Sequence, residues 1–155
     1  YTDYSKSGDC QIITFSIDCI ENRFAFEKED IFGQLIDIAE DCIFSPNASE
    51  GKFDQTEFDM KQRDLIETIY AEINNKRGYA VSRAQKTIFK NEPCSYSLYG
   101  TVEKVSSITP AQVYDAYMKL LDTAVVEVFY ASSSIDSSIK KRIAEAFSKR
   151  KMKEK

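Results

Sequence analysis

None of the 155 residues is histidine. A chain without imidazole cannot by itself carry out histidine-dependent zinc chemistry. The serine runs Ser132–Ser133–Ser134 and Ser137–Ser138 have no histidine to activate them and no nucleophile-elbow pattern around them. They read as a loop and a helix start. Cysteine is scarce, and Cys10, Cys19, Cys42 and Cys94 never fall in a C-x-x-C spacing, which argues against a structural zinc site. Cys19 and Cys42 sit within apolar patterns and read as small buried hydrophobes. A disulfide framework suits a shorter secreted chain, so these thiols point to a reducing, cytoplasmic setting. No apolar run approaches membrane-spanning length, so no membrane partner is expected. The first residue is Tyr1, not methionine, and the expectation is a piece of a longer protein.

What remains is a soluble, globular composition: 43% hydrophobic and 30% charged residues. A chain of this length can bury roughly 70% of the surface its unfolded form exposes. The net charge of −4 speaks against nucleic acid as a partner. The basic run Lys149–Arg150–Lys151, with Lys153 and Lys155, is the exception, and 151–155 reads as a solvated basic tail. The preceding residues, 1–150, read as one domain.

The pattern along the chain changes period several times. Tyr1–Ser5 reads as a strand, Lys6–Asp9 as a turn with Gly8 free to take positive φ, and Gln11–Ile20 as an alternating strand. From Lys28 to Phe44, Phe32, Leu35, Ile36, Ala39 and Ile43 recur at helical spacing. Asp54 and Glu57 open a long helix that reaches about Asn74, with Phe58, Leu65, Ile66, Ile69 and Ile73 as its apolar stripe. A helix over Arg77–Phe89 follows, and Asn91–Glu92–Pro93 opens a loop that extends past Gly100. Thr109–Pro110–Ala111–Gln112 has the capping-box form, with Pro at the first helical position. Ala124–Tyr130 alternates as a strand, and Ile135, Ile139, Ile143 and Phe147 mark a last helix. Segregated strands and helices indicate an α+β fold, an antiparallel sheet with helices packed on one face. Two or three strands make a thin sheet, so further strands from outside this sequence are expected to complete it.

Several of these segments in series carry a resemblance. They are Gly8–Asp18, the helix end Ile38-Ala39-Glu40-Asp41-Cys42-Ile43-Phe44-Ser45-Pro46, Phe53–Ile69 and Lys76-Arg77-Gly78-Tyr79-Ala80. Lys90-Asn91-Glu92-Pro93, Tyr99-Gly100-Thr101, Ile108-Thr109-Pro110 through Tyr117, and Val125–Ala131 continue the series. Their order and spacing resemble the insulinase/pitrilysin zinc metallopeptidases, which include mitochondrial processing peptidases and respiratory-complex core proteins. Within that family the chain looks most similar to bacterial paralogues lacking the inverted HxxEH zinc motif. The resemblance implies a partial insulinase-like domain, with the motif helix lying before Tyr1.

Active members place a glutamate zinc ligand on the helix matching Phe53–Asn74, and another glutamate two turns earlier. Anchored on Phe53-Asp54, the ligand position falls on Thr68 and the earlier one on Lys61. Threonine is a poor zinc ligand, and lysine sets a cation beside a cation. A one-residue shift in register would put Glu67 at the ligand position instead. The resemblance therefore implies no catalytic residue and no cofactor in this chain, with zinc carried by an active paralogue. The expected partners are that paralogue, or a second copy in a homodimer, and extended peptides. In active relatives the strand matching Tyr1–Ser5 edges the peptide chamber, which makes Tyr1, Thr2, Asp3 and Tyr4 candidate substrate-binding residues. Two other readings stay open. One is an active zinc endopeptidase with HxxEH before Tyr1 and Glu67 as third ligand. The other is a structural core-type scaffold.

Other polar groups have plainer readings. Asp59, Asp64, Glu67 and Glu72 fit a solvated helix face. Arg77 and Arg83 fit a helix edge, and most aromatic residues fall on apolar periodic positions.

Overall fold

The computed structural model describes residues 1–133 and 137–148. The predicted positions Ser134, Ile135 and Lys149–Lys155 lie outside them. In chain order the elements are β1 (Thr2–Ser7), β2 (Cys10–Phe15), α1 (Ile31–Phe44), β3 (Ala48–Ser49), β4 (Lys52–Phe53) and α2 (Gln55–Ala71). Then come α3 (Lys76–Ile88), α4 (Val102–Ser107), α5 (Pro110–Thr123) and α6 (Ser137–Ser148). The fold is α+β, with antiparallel two-stranded ladders and a majority of helix. The chain forms two compact units, each assembled from two stretches: Tyr1–Ser16 with Phe53–Gln112, and Ile17–Lys52 with Val113 onward.

In the first unit, β1 and β2 pair antiparallel from Thr2↔Phe15 to Ser7↔Cys10. The two-residue turn between them turns on Gly8 at φ 58°, a left-handed conformation that costs glycine little. The strand predicted over Gln11–Ile20 is shorter in the structure: it ends at Phe15, with one further pair of hydrogen bonds between Ser16 and Tyr1. After it, α2 starts where Asp54 accepts the Glu57 N–H at 2.9 Å. The helix tightens into a 3-10 turn over Glu72–Asn74, so the long helix ends where the sequence indicates. Asn75 caps α3 by accepting from Gly78 N at 3.0 Å.

Helix α4 replaces part of the predicted loop. Thr101 caps it through its hydroxyl, and Val105 on its inner side is 6% exposed. Gln62 on α2 donates its side-chain amide to the Val105 carbonyl at 2.7 Å, satisfying one of the acceptors a helix end leaves open. The capping box at the start of α5 forms in both directions. Gln112 N donates to Thr109 Oγ1 at 3.3 Å, and Thr109 N donates to Gln112 Oε1 at 3.0 Å.

In the second unit, α1 and α6 pack together, with Phe44 and Phe147 in edge-to-face contact at 5.8 Å and Ala146 4% exposed. The predicted α1 stripe of Phe32, Leu35, Ile36, Ala39 and Ile43 is half-buried, while Ile38 off the stripe is exposed. Cys42, also off the stripe, and Cys19, beyond the end of β2, are exposed and not buried as their apolar neighbours suggest. Tyr117 on α5 donates its hydroxyl to the Ile43 carbonyl at 2.7 Å, and burial followed by the nearby Cys42 raises its pKa. Glu21 gathers the start of this unit onto residues 132–133. Its carboxylate accepts from Ser133 N at 3.2 Å and Ser132 Oγ at 3.4 Å, and pairs with Arg23 Nε at 2.8 Å.

The predicted strand over Ala124–Tyr130 takes no place in a ladder. It leaves Val125 80% and Phe129 90% exposed, while Tyr130 packs edge-to-face on Phe32 at 5.3 Å. β-propensity describes how a side chain suits a pleated surface, and without a neighbouring strand it makes no ladder.

Candidate functional site

The alternation of β1 sets which backbone groups are paired and which face outward. Tyr1 and Ser16 exchange both hydrogen bonds, at 2.7 and 2.9 Å. In an antiparallel ladder, hydrogen-bonded and non-hydrogen-bonded pairs alternate. With the observed register, Tyr1, Asp3, Ser5 and Ser7 direct their N–H and C=O toward β2. Thr2, Tyr4 and Lys6 direct theirs to the outer edge of the hairpin. The sequence-predicted residues Tyr1, Thr2, Asp3 and Tyr4 thus lie together on one edge strand. All four side chains are exposed, Tyr1 at 81% and Tyr4 at 52%.

The two faces of β1 differ. Thr2, Tyr4 and Lys6 share a face, which carries the segment around Pro93–Tyr99. The Tyr4 ring meets Tyr99 edge-to-face at 6.2 Å. Lys6 Nζ donates to the carbonyls of Pro93 at 2.8 Å and Tyr96 at 2.7 Å. This cation neutralises the acceptor end of a short 3-10 turn over Pro93–Ser95 and fixes it against the strand. Sequence reasoning placed Lys6 in the turn and missed this role. The available signal was the continuing alternation Thr2, Tyr4, Lys6. Beside the turn, burial raises the Cys94 pKa, and the charges of Asp9 and Glu92 raise it further. The thiol is therefore held protonated and is a poor nucleophile.

The opposite face carries Tyr1, Asp3, Ser5 and Ser7. Asp3 holds the only charge on it from either strand. Its Oδ1 reaches back to the outer edge and accepts the Tyr4 N–H at 2.9 Å. One of the outward donors of the edge strand is therefore already occupied by a side chain of the same strand.

The three positions singled out on the long helix lie on α2, all exposed. Lys61 and Thr68 are two turns apart and share a face. Thr68 Oγ1 donates to the Asp64 carbonyl at 2.8 Å, the ordinary back-bond of a threonine inside a helix. Lys61 Nζ stands 4.0 Å from Asp64 Oδ2. Glu67 lies about 100° around the helix from Thr68. A hydroxyl used on its own helix and an ammonium group do not suit a zinc ion, which wants thiolate, imidazole or carboxylate. Among the described residues no three His, Cys, Asp or Glu groups gather to hold a metal. Among them, too, no helix is long and apolar enough to cross a membrane.

No protein family model matches the chain. Over 136 residues, 88% of this chain, it is 22% identical to a Bacillus subtilis (strain 168) protein named "Probable inactive metalloprotease YmfF". The match takes in 32% of that protein, so the chain spans about a third of the length of its curated relative. Among solved structures, the fold is similar to that of a conserved protein from Enterococcus faecalis V583. The TM-score is 0.65 at 21% sequence identity, over 79% of this chain and 29% of that one. The relationship to the protein named as a probable inactive metalloprotease is distant in sequence, and the likeness to the solved structure shows the fold alone.

Proposed function

We propose that this chain is part of a non-catalytic insulinase-like protein that pairs with an active, zinc-bearing paralogue. In that assembly it helps to form a peptide chamber and offers β1 as an edge for extended peptide. The observation that carries the proposal is the pair Lys61 and Thr68 on α2. The first is a cation and the second has its hydroxyl committed to Asp64, at the two positions where the resemblance requires carboxylates. The similarity to a protein named as an inactive metalloprotease supports the same reading.

An edge strand recognises extended peptide through unpaired backbone groups, so it needs no catalytic side chain. The outward groups of Thr2, Tyr4 and Lys6, with exposed side chains at Tyr1 through Tyr4, support that role. In the test, long unfolded peptides are titrated into the assembled pair. Binding that is lost when β1 is disrupted by proline at Tyr4 supports the chamber role. No binding to the pair would instead support a scaffold without a chamber.

A further inference from the structure

We propose that Asp3 selects among extended peptides at the β1 edge, disfavouring uncharged strands and favouring those that bring a lysine or arginine beside it. The proposal rests on the edge-strand role above and deepens it.

The argument begins with the occupied donor. Tyr4 N–H faces outward and is bonded to Asp3 Oδ1 at 2.9 Å. A peptide adding to the edge needs that N–H for its own carbonyl, so the carboxylate must leave. For an uncharged peptide the exchange costs one charge-assisted hydrogen bond and returns one ordinary bond, while the released carboxylate, exposed on the strand, goes back to water and gains no partner from the peptide. Charged side chains on an edge strand are a recognised way of protecting it from unwanted pairing.

A basic peptide changes the balance. The displaced carboxylate then meets an opposite charge on the neighbouring strand, the arrangement that stabilises cross-strand pairs. No side-chain cation of the hairpin itself competes for it. Lys6, the only basic residue of the two strands, lies on the other face and is held by the Pro93 and Tyr96 carbonyls. The same carboxylate thus acts as a plug toward one class of peptide and as a specificity contact toward another.

The test uses the complete natural polypeptide in its assembled state, with fluorescent extended peptides as probes. One is built of Ser, Thr and Val only, and the others carry a single lysine moved through each position. In Asp3→Ala the uncharged peptide should bind about fivefold more tightly, the equivalent of one net hydrogen bond. Asp3→Asn keeps an accepting oxygen and should leave that affinity within about twofold. In the natural protein, lysine at one register position should raise affinity about threefold, and the gain should vanish in both variants. Unchanged binding of the uncharged peptide by Asp3→Ala, or a lysine gain that survives both substitutions, overturns the selection by Asp3 and leaves the edge role standing. If no peptide binds the natural protein or either variant, the edge role itself falls and the selection falls with it.

Discussion

Arg142 Nη1 lies 2.6 Å from Asp30 Oδ2, across 112 residues of sequence. The other Asp30 oxygen caps α1 by accepting Gly33 N at 3.1 Å and also takes the Asn22 amide at 2.9 Å. One carboxylate therefore starts a helix and ties α6 to it. Asp30→Ala loses the cap and the tie together and should destabilise the protein more than Arg142→Ala, which loses the tie alone. Paired thermal melts of the two variants check the order.

Gly33 lies against this pair. A Cβ there would meet Arg142 Nη2 and Asp30 Oδ2, the ends of two exposed side chains that can move aside. Alanine usually stabilises a helix relative to glycine. Here Gly33→Ala should gain less than that, because making room for the Cβ loosens the pair. In an Arg142→Ala background the same substitution should give the fuller gain, and an equal effect in both backgrounds would contradict this account.

The same cluster sets an acid limit. The Arg142 bond, then those from Asn22 and Gly33, hold the Asp30 carboxyl below the usual aspartate range. Glu21 is likewise lowered, with its bond to Ser133 as the largest cause. Groups with depressed pKa values bind fewer protons folded than unfolded, so their contribution is complete above the ordinary carboxylate range of about 4. It is lost as pH falls through the lowered values. Acid titration followed by circular dichroism should show a steep loss below about pH 4, and Asp30→Asn should flatten it.

Tyr117→Phe removes a donor from the Ile43 carbonyl in the last turn of α1. The expected cost is about 1 kcal/mol in denaturant unfolding, since one hydrogen bond is lost and the ring stays packed. In the other unit, Lys6→Met removes both bonds to the Pro93–Tyr96 turn. Faster amide exchange at Ser95 and Tyr96 should follow, with the β1–β2 ladder still protected.

Local chemistry made most helices legible. Asp54 and Thr109 each cap where a short polar side chain precedes an apolar period, and the α1 stripe turns inward as its spacing requires. Helix α4 escaped because six residues are too few to show a period, although Thr101 gave a cap signal. The tight turn between β3 and β4, through Glu50 and Gly51 at positive φ, joins strands of two residues that carry no alternation. Val125–Tyr130 has the alternation of a strand and no ladder, because pairing depends on a neighbour that local sequence does not specify. In the candidate site, the edge position of Tyr1–Tyr4 was legible from pattern and resemblance. The seat of Lys6 was not, since it depends on which face of the hairpin meets residues 93–99, and the Asp3 bond to Tyr4 N–H was not, since it depends on a side-chain rotamer that the pattern does not set.

The account turns on whether the protein owns a working metal site. The direct measurement is peptide hydrolysis by the complete natural polypeptide alone, with and without a metal chelator, and again after a zinc-bearing paralogue is added. The account predicts no cleavage alone, none on installing Thr68→Glu, and chelator-sensitive cleavage only in the presence of the paralogue. Chelator-sensitive cleavage by the natural polypeptide alone would contradict it, and would give the ligand role to Glu67.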